Sequence, residues 1–145
     1  VQDPPAGVDL SDGLQVRTAI DAHVLAAEAK TLIGAYGTLG TNLDIHVFYV
    51  NVIKVGEGFA AGSAVADYWY DASENDYLYN IFINDATNKP FTAAHELAHL
   101  LADAPHESDR VNILYTPTST VNVSTATKRF TSGQETSIRG NAHVH

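Results

Sequence analysis

The chain has 145 residues, 45% hydrophobic and 17% charged, with 8 Lys+Arg against 17 Asp+Glu and a formal net charge of −9. This is a globular composition of single-domain size, and it excludes a disordered tail, a collagen-like fibre and a coiled coil. It shows no basic face for nucleic acid and no basic helix for an anionic membrane; without Cys there is no disulfide scaffold, thiolate zinc finger, iron–sulfur cluster or thiol nucleophile.

No stretch approaches the roughly 18 apolar residues of a membrane span. The absence of Met, position 1 included, implies a processed chain or a piece of a longer one. Residues 1–10 read as an irregular arm, because Pro4, Pro5 and Gly7 discourage regular structure. Leu14, Ala19, Ile20, Val24, Leu25, Ala29, Leu32 and Ile33 recur at spacings near about 3.6. They predict one long amphipathic helix over 12–35, capped by Ser11 or Asp12 and closed by Gly34 and Gly37. Residues 43–55, rich in Val, Ile, Tyr and Phe, predict a strand. Gly56, Gly58 and Gly62 predict a turn or flexible loop. Val65 to Tyr70 predicts a short strand, Asp71 to Asp76 an acidic loop, and Leu78 to Ile83 another strand. A second helix, capped by Thr92, runs to about Asp103; residues 104–127 are mostly loop, and 131–140 make a terminal helix. The order predicts an α+β domain spanning 1–145, a mixed twisted sheet with helices against it.

The chemistry is concentrated in His95-Glu96-Leu97-Ala98-His99, an HExxH motif. On a helix, positions i and i+4 lie about 40° apart and about 6 Å along the axis, so both imidazoles project from one face and can share one Zn²⁺. Glu96 is placed to reach a water on that metal. Its neighbours Ala93, Ala94, Leu97, Ala98, Leu100, Leu101 and Ala102 are apolar, so the helix is expected to be buried, and two His and a Glu inside need a reason. A chance HExxH in a chain of this composition is on the order of 1%. A catalytic zinc takes three protein ligands and one open position. His106 is the best candidate for the third, past the Ala104-Pro105 break; Asp103 and Asp109 are alternatives, and Glu107 and Asp109 could instead orient an imidazole.

HELAHLLADAPH followed by Val111-Asn112-Ile113-Leu114-Tyr115 resembles the metzincin clan of zinc metalloproteases, whose pattern is HExxHxxGxxH with a later turn containing Met. The resemblance implies His95, His99 and His106 as ligands and Glu96 as general base, with Leu114 where the Met of the turn would be. It also implies a strand 78–85 (LYNIFIND) as the edge that holds substrate. The chain departs from the pattern in three ways: the third ligand lies one residue further on, the Gly of the turn is Ala102 or is displaced, and Leu replaces Met, a volume-conserving exchange.

The expected activity is that of a zinc-dependent endopeptidase on protein or peptide substrates, monomeric and secreted. Glu96 would take a proton as water attacks the peptide carbonyl and return it to the leaving amine. Tyr115 could donate to the oxyanion. The alternatives are a toxin or delivered effector with one narrow protein target, and a non-catalytic, zinc-stabilised binding module. The Asp71–Asp76 loop could hold Ca²⁺, but it lacks the Asp-x-Asp-x-Asp-Gly pattern. Tyr68-Trp69-Tyr70 could line a substrate cleft, His23 and His46 read as structural, and His143 and His145 read as a tail.

Overall fold

The computed structural model describes residues 3–36, 44–86, 91–115 and 128–144. Gly37, the stretch 116–127 and His145 lie outside the described residues, as does most of the connection after Asn84. The arm is irregular over 3–10, yet it is anchored: Val8 is buried, and the Tyr36 hydroxyl donates to the Asp3 carbonyl.

The long N-terminal helix expected over 12–35 is not formed. Its first part is strand β1 (Leu14–Arg17), and only its end is helix α1 (Ala27–Tyr36). The local pattern explains the difference. Leu14 and Val16 are fully buried while Gln15 and Arg17 are not, a period of two rather than 3.6. Gly13 enters the strand at φ 101°, against Val52, where a Cβ would stand 2.8 Å from Cγ1. Ile20 and Val24, counted towards an apolar stripe, are exposed. Glu28 then ties the parts together, accepting from the Asp9 and Gln15 amides at 2.8 and 2.7 Å.

The expected strand 43–55 is interrupted at Asn51 and Val52, giving β2 (His46–Val50) and β3 (Ile53–Val55). The glycine-rich stretch is not a simple loop but two short strands, β4 (Gly58–Ala60) and β5 (Gly62–Ala64). Val65 to Tyr70 is turn rather than strand, and a 3-10 helix (Ala72–Tyr77) replaces the acidic loop. Strand β6 (Asn80–Asn84) is buried along its whole length.

The strands form two three-stranded mixed sheets, ordered β1-β3-β4 and β2-β6-β5. β1/β3 and β2/β6 are parallel, and β3/β4 and β5/β6 antiparallel. The strand expected at the sheet edge, β6, is therefore central, consistent with its continuous apolar run; β5 lies at the edge. Helix α2 (Thr92–Ala102) packs on β5 and β6, and helix α3 (Ser132–Gly140) packs on α2. The residue before α2 is Phe91, at φ 77°, and Thr92 is already inside the helix. The main core gathers Leu14, Val16, Ile33, Ile53, Val65 and Phe82. A smaller one of Ala66, Ile81, Ile83 and Leu100 lies where α2 meets the β2-β6-β5 sheet. No helix among the described residues is long and apolar enough to cross a membrane.

Candidate metal centre

Helix α2 presents His95 and His99 one turn apart, as their i, i+4 spacing requires. The helix stops at Asp103, which adopts the left-handed conformation (φ 45°, ψ 52°), one that Asp tolerates better than most residues. The chain turns back, and His106 joins the other two. Their ligand nitrogens lie within 4.8 Å of one another. His95 Nε2 is 3.1 Å from His99 Nε2 and 3.2 Å from His106 Nε2. Tetrahedral coordination with Zn–N near 2.05 Å puts ligand nitrogens about 3.3 Å apart, close to the two separations from His95 Nε2. The cluster could bind a metal ion.

Two imidazoles have their tautomers set by backbone carbonyls. His95 Nδ1–H donates to the Ile113 carbonyl at 2.7 Å, and His99 Nδ1–H to the Ala104 carbonyl at 2.7 Å. Their Nε2 atoms then carry lone pairs that face each other with no proton between them, a contact that a cation resolves. Burial lowers the pKa of all three: His95 against the Ile113 hydrogen bond, His99 to about 4 with help from its two neighbours, and His106 with help from His95. Each ring is thus biased towards the neutral form a metal needs.

The Ile113 carbonyl belongs to a turn that Asn112 holds. Asn112 Oδ1 accepts from Leu114 N at 2.8 Å, and its Nδ2 donates to Gln134 Oε1 in α3, also at 2.8 Å. Gln134 Nε2 reaches Glu107 Oε1 at 3.2 Å, while its Oε1 closes a capping box with Thr131. Leu114, at the expected Met position, is fully buried in this turn. Glu107 and Asp109 do not orient the imidazoles: Glu107 faces Gln134, and Asp109 accepts from Val111 N at 3.1 Å. Asp103 is not brought into the cluster either; its Oδ1 accepts the Tyr68 amide at 2.9 Å.

Glu96 points from α2 towards β5. It is 8% exposed, accepts a hydrogen bond from the Ala64 backbone and forms no ion pair among the described residues. Burial pushes its carboxyl up to about 8. Gly62 makes room for it, since a Cβ there would lie 2.6 Å from Glu96 Cγ and Oε1. A cleft of about 390 Å³ opens in front, lined by Arg17, Ile20, Gly62, Ser63, Ala64, Tyr68, Trp69, Tyr70, Glu96, His99, Pro105 and His106. The expected aromatic lining by Tyr68-Trp69-Tyr70 is thus in place.

The Tyr68 hydroxyl lies 3.2 Å from His99 Nδ1. Burial, with the negative charges of Glu96 and Asp103, raises its pKa to about 12, so it keeps its proton. Tyr115 sits on the turn with Lys128 Nζ 5.4 Å from its ring centroid. His23 Nδ1–H donates to the Trp69 carbonyl (2.6 Å), and the His143 ring packs on Tyr79 with centroids 3.8 Å apart. Glu74, in the 3-10 helix, turns inward to Lys30 at 2.7 Å rather than joining a cation loop. Sequence reasoning missed Arg17, Gly62, Asn112 and Gln134 as parts of the site. Asn112 and Gln134 carry no periodic signal, and Arg17 and Gly62 arrive from strands distant in the chain.

No family model, curated protein or solved structure matches this chain.

Proposed function

We propose that the chain is a zinc-dependent endopeptidase of metzincin type, with His95, His99 and His106 as the metal ligands and Glu96 as the general base. One observation carries this reading: the facing Nε2 atoms of His95 and His99, 3.1 Å apart, with His106 Nε2 3.2 Å from His95. Among the described residues no fourth His, Cys, Asp or Glu joins them, which favours an open catalytic site over a closed structural one.

His95, His99 and His106 would hold the zinc ion, which would supply Lewis acidity at the scissile carbonyl and to the attacking water. The chain's own groups do the rest. Glu96 accepts a proton from the attacking water and passes it to the leaving amine. Its burial keeps bulk water from competing for that proton, and a neighbouring dication favours its ionised form. Tyr68, whose proton His99 does not need, donates to the developing oxyanion, a role that Tyr115, just after the turn, also offers from the sequence. Strand β5, at a sheet edge and along the cleft, offers backbone for an extended peptide.

The departures from the metzincin pattern have one local cause. In HExxHxxGxxH the turn residue precedes the third ligand by three positions. Here Asp103 takes the left-handed turn, three positions before His106. Both are displaced by one residue, so the helix runs one residue further and the ligand still returns.

The test is zinc per chain by elemental mass spectrometry, together with hydrolysis of a quenched-fluorescent peptide library. One zinc in the wild type, lost in His106→Ala along with hydrolysis, is the expected result. Zinc binding with no hydrolysis of any peptide would overturn the peptidase reading, and no divalent metal in the wild type would overturn the site.

A further inference from the structure

The cleft contains two buried polar groups that the proposed chemistry does not use. Arg17, at the end of β1, donates from Nη1 to the Ile20 carbonyl at 3.0 Å, and its guanidinium carbon lies 5.3 Å from the Trp69 ring centroid. Its Nε is buried and has no hydrogen-bond partner among the described residues. The Tyr70 hydroxyl, which faces Ser63, is likewise buried without a well-formed hydrogen bond. Both side chains line the cleft that also holds Glu96, His99 and His106. An unpaired buried donor costs about 1–3 kcal/mol, more when charged, so two of them in one cleft call for a ligand. The chain carries a net charge of −9, yet Arg17 forms no contact ion pair among the described residues, although its charge is felt by Glu96 across the cleft.

We propose that Arg17 and Tyr70 form an anion subsite beside the histidine cluster, which takes a carboxylate of the bound peptide. The guanidinium offers a charge-assisted hydrogen bond from Nε, and the phenol offers a second donor, together suited to one carboxylate group. Trp69 stacks beneath the guanidinium and is itself held from behind, its Nε1 donating to the Ala22 carbonyl at 3.2 Å. The cation is therefore fixed in place before a ligand arrives, which lowers the entropy lost on binding. The carboxylate is that of an Asp or Glu side chain or of a peptide C-terminus. The inference builds on the peptidase reading only for the direction in which the peptide is used.

The experiment uses Trp69, the chain's single tryptophan, as its reporter. The full chain, loaded with zinc, is titrated with three N-acetylated tetrapeptides. One carries a central Glu and a C-terminal amide, the second replaces that Glu with Gln, and the third has neutral side chains and a free C-terminal carboxylate. The Glu peptide or the free-carboxylate peptide is expected to bind about tenfold more tightly than the Gln peptide, and whichever does so names the source. Arg17→Gln should bring that ratio close to one, and Tyr70→Phe should lower it about threefold. Should Arg17→Gln fail to fold by circular dichroism, Tyr70→Phe decides. Equal binding of all three peptides, or a ratio that survives both substitutions, would overturn the subsite. Discrimination without hydrolysis removes the peptidase reading and leaves the subsite; hydrolysis without discrimination does the reverse.

Discussion

Glu74 and Glu96 are both buried, and the regions around them treat a carboxylate in opposite ways. Around the 3-10 helix, Glu74 is 1% exposed and fully served: Lys30 Nζ donates at 2.7 Å and Leu25 N at 3.2 Å. Between α2 and β5, Glu96 is 8% exposed and receives a hydrogen bond from the Ala64 backbone but no ion pair. The first arrangement satisfies a charge and ties α1 to the segment before β6. The second leaves a carboxylate close to its proton-accepting range, in a cleft with two of the three imidazoles that could bind a metal ion. Burial with a partner makes structure; burial without an ion-pair partner, next to a cleft, marks Glu96 as a candidate functional group.

The contrast can be broken most sharply at Glu96. Glu96→Gln keeps the side chain's shape and an acceptor for Ala64. It should retain one zinc per chain while losing about 10²–10⁴ in kcat on a cleaved peptide. Retained hydrolysis in that variant would sink the general-base role.

The same substitution should stabilise the metal-free chain at alkaline pH. Between the ordinary Glu value of 4.5 and about 8, the folded chain keeps a proton on Glu96 that the unfolded chain has lost. Stability contributed by this group therefore falls as pH rises through that window, and the full cost is present above about 8. Glu96→Gln removes that slope, and urea denaturation of the metal-free proteins at pH 8 should show a gain of a few kcal/mol.

Glu74→Ala should act in the opposite sense. It leaves Lys30 and the Leu25 amide without their acceptor and should lower stability by about 2–3 kcal/mol. Zinc stoichiometry should stay the same, as read by denaturation and metal analysis side by side. The smallest effect is expected at Gly62→Ala. Its new Cβ would meet Glu96 Cγ and Oε1 at 2.6 Å, so the carboxylate must shift. A loss of about tenfold in kcat with unaltered zinc content follows from a displacement of under an ångström.

Much of the site was readable along the chain because it is local. His95 and His99 are related by helical geometry alone, and His106 follows within one turn and a short return. Among His106, Asp103 and Asp109, it is His106 that lies with His95 and His99; Asp109 accepts locally from Val111, whereas the Asp103 bond to the Tyr68 amide is a long-range contact that spacing does not reveal. The rest was not readable because it depends on which strands meet. Leu14-Gln15-Val16-Arg17 and the apolar positions after it fit a helical stripe as well as a strand. Pairing with Ile53 to Val55 decides for the strand, and that pairing places Arg17 in the cleft. The apolar run of β6 marks it as a strand, but its place in the middle of the sheet follows from β5, whose Gly62, Ser63 and Ala64 carry little propensity of their own.

The amino-acid sequence by itself determined an α+β chain with an HExxH helix, a third histidine within reach and an acidic, cysteine-free composition, because these rest on residue type and short spacing. The tertiary structure alone decided that Glu96 is packed against Gly62, that Ile113 sets the His95 tautomer, and that Arg17, Tyr68 and Tyr70 share one cleft with His99 and His106. Those contacts join elements distant in the chain, and only sheet pairing and helix packing bring such residues together.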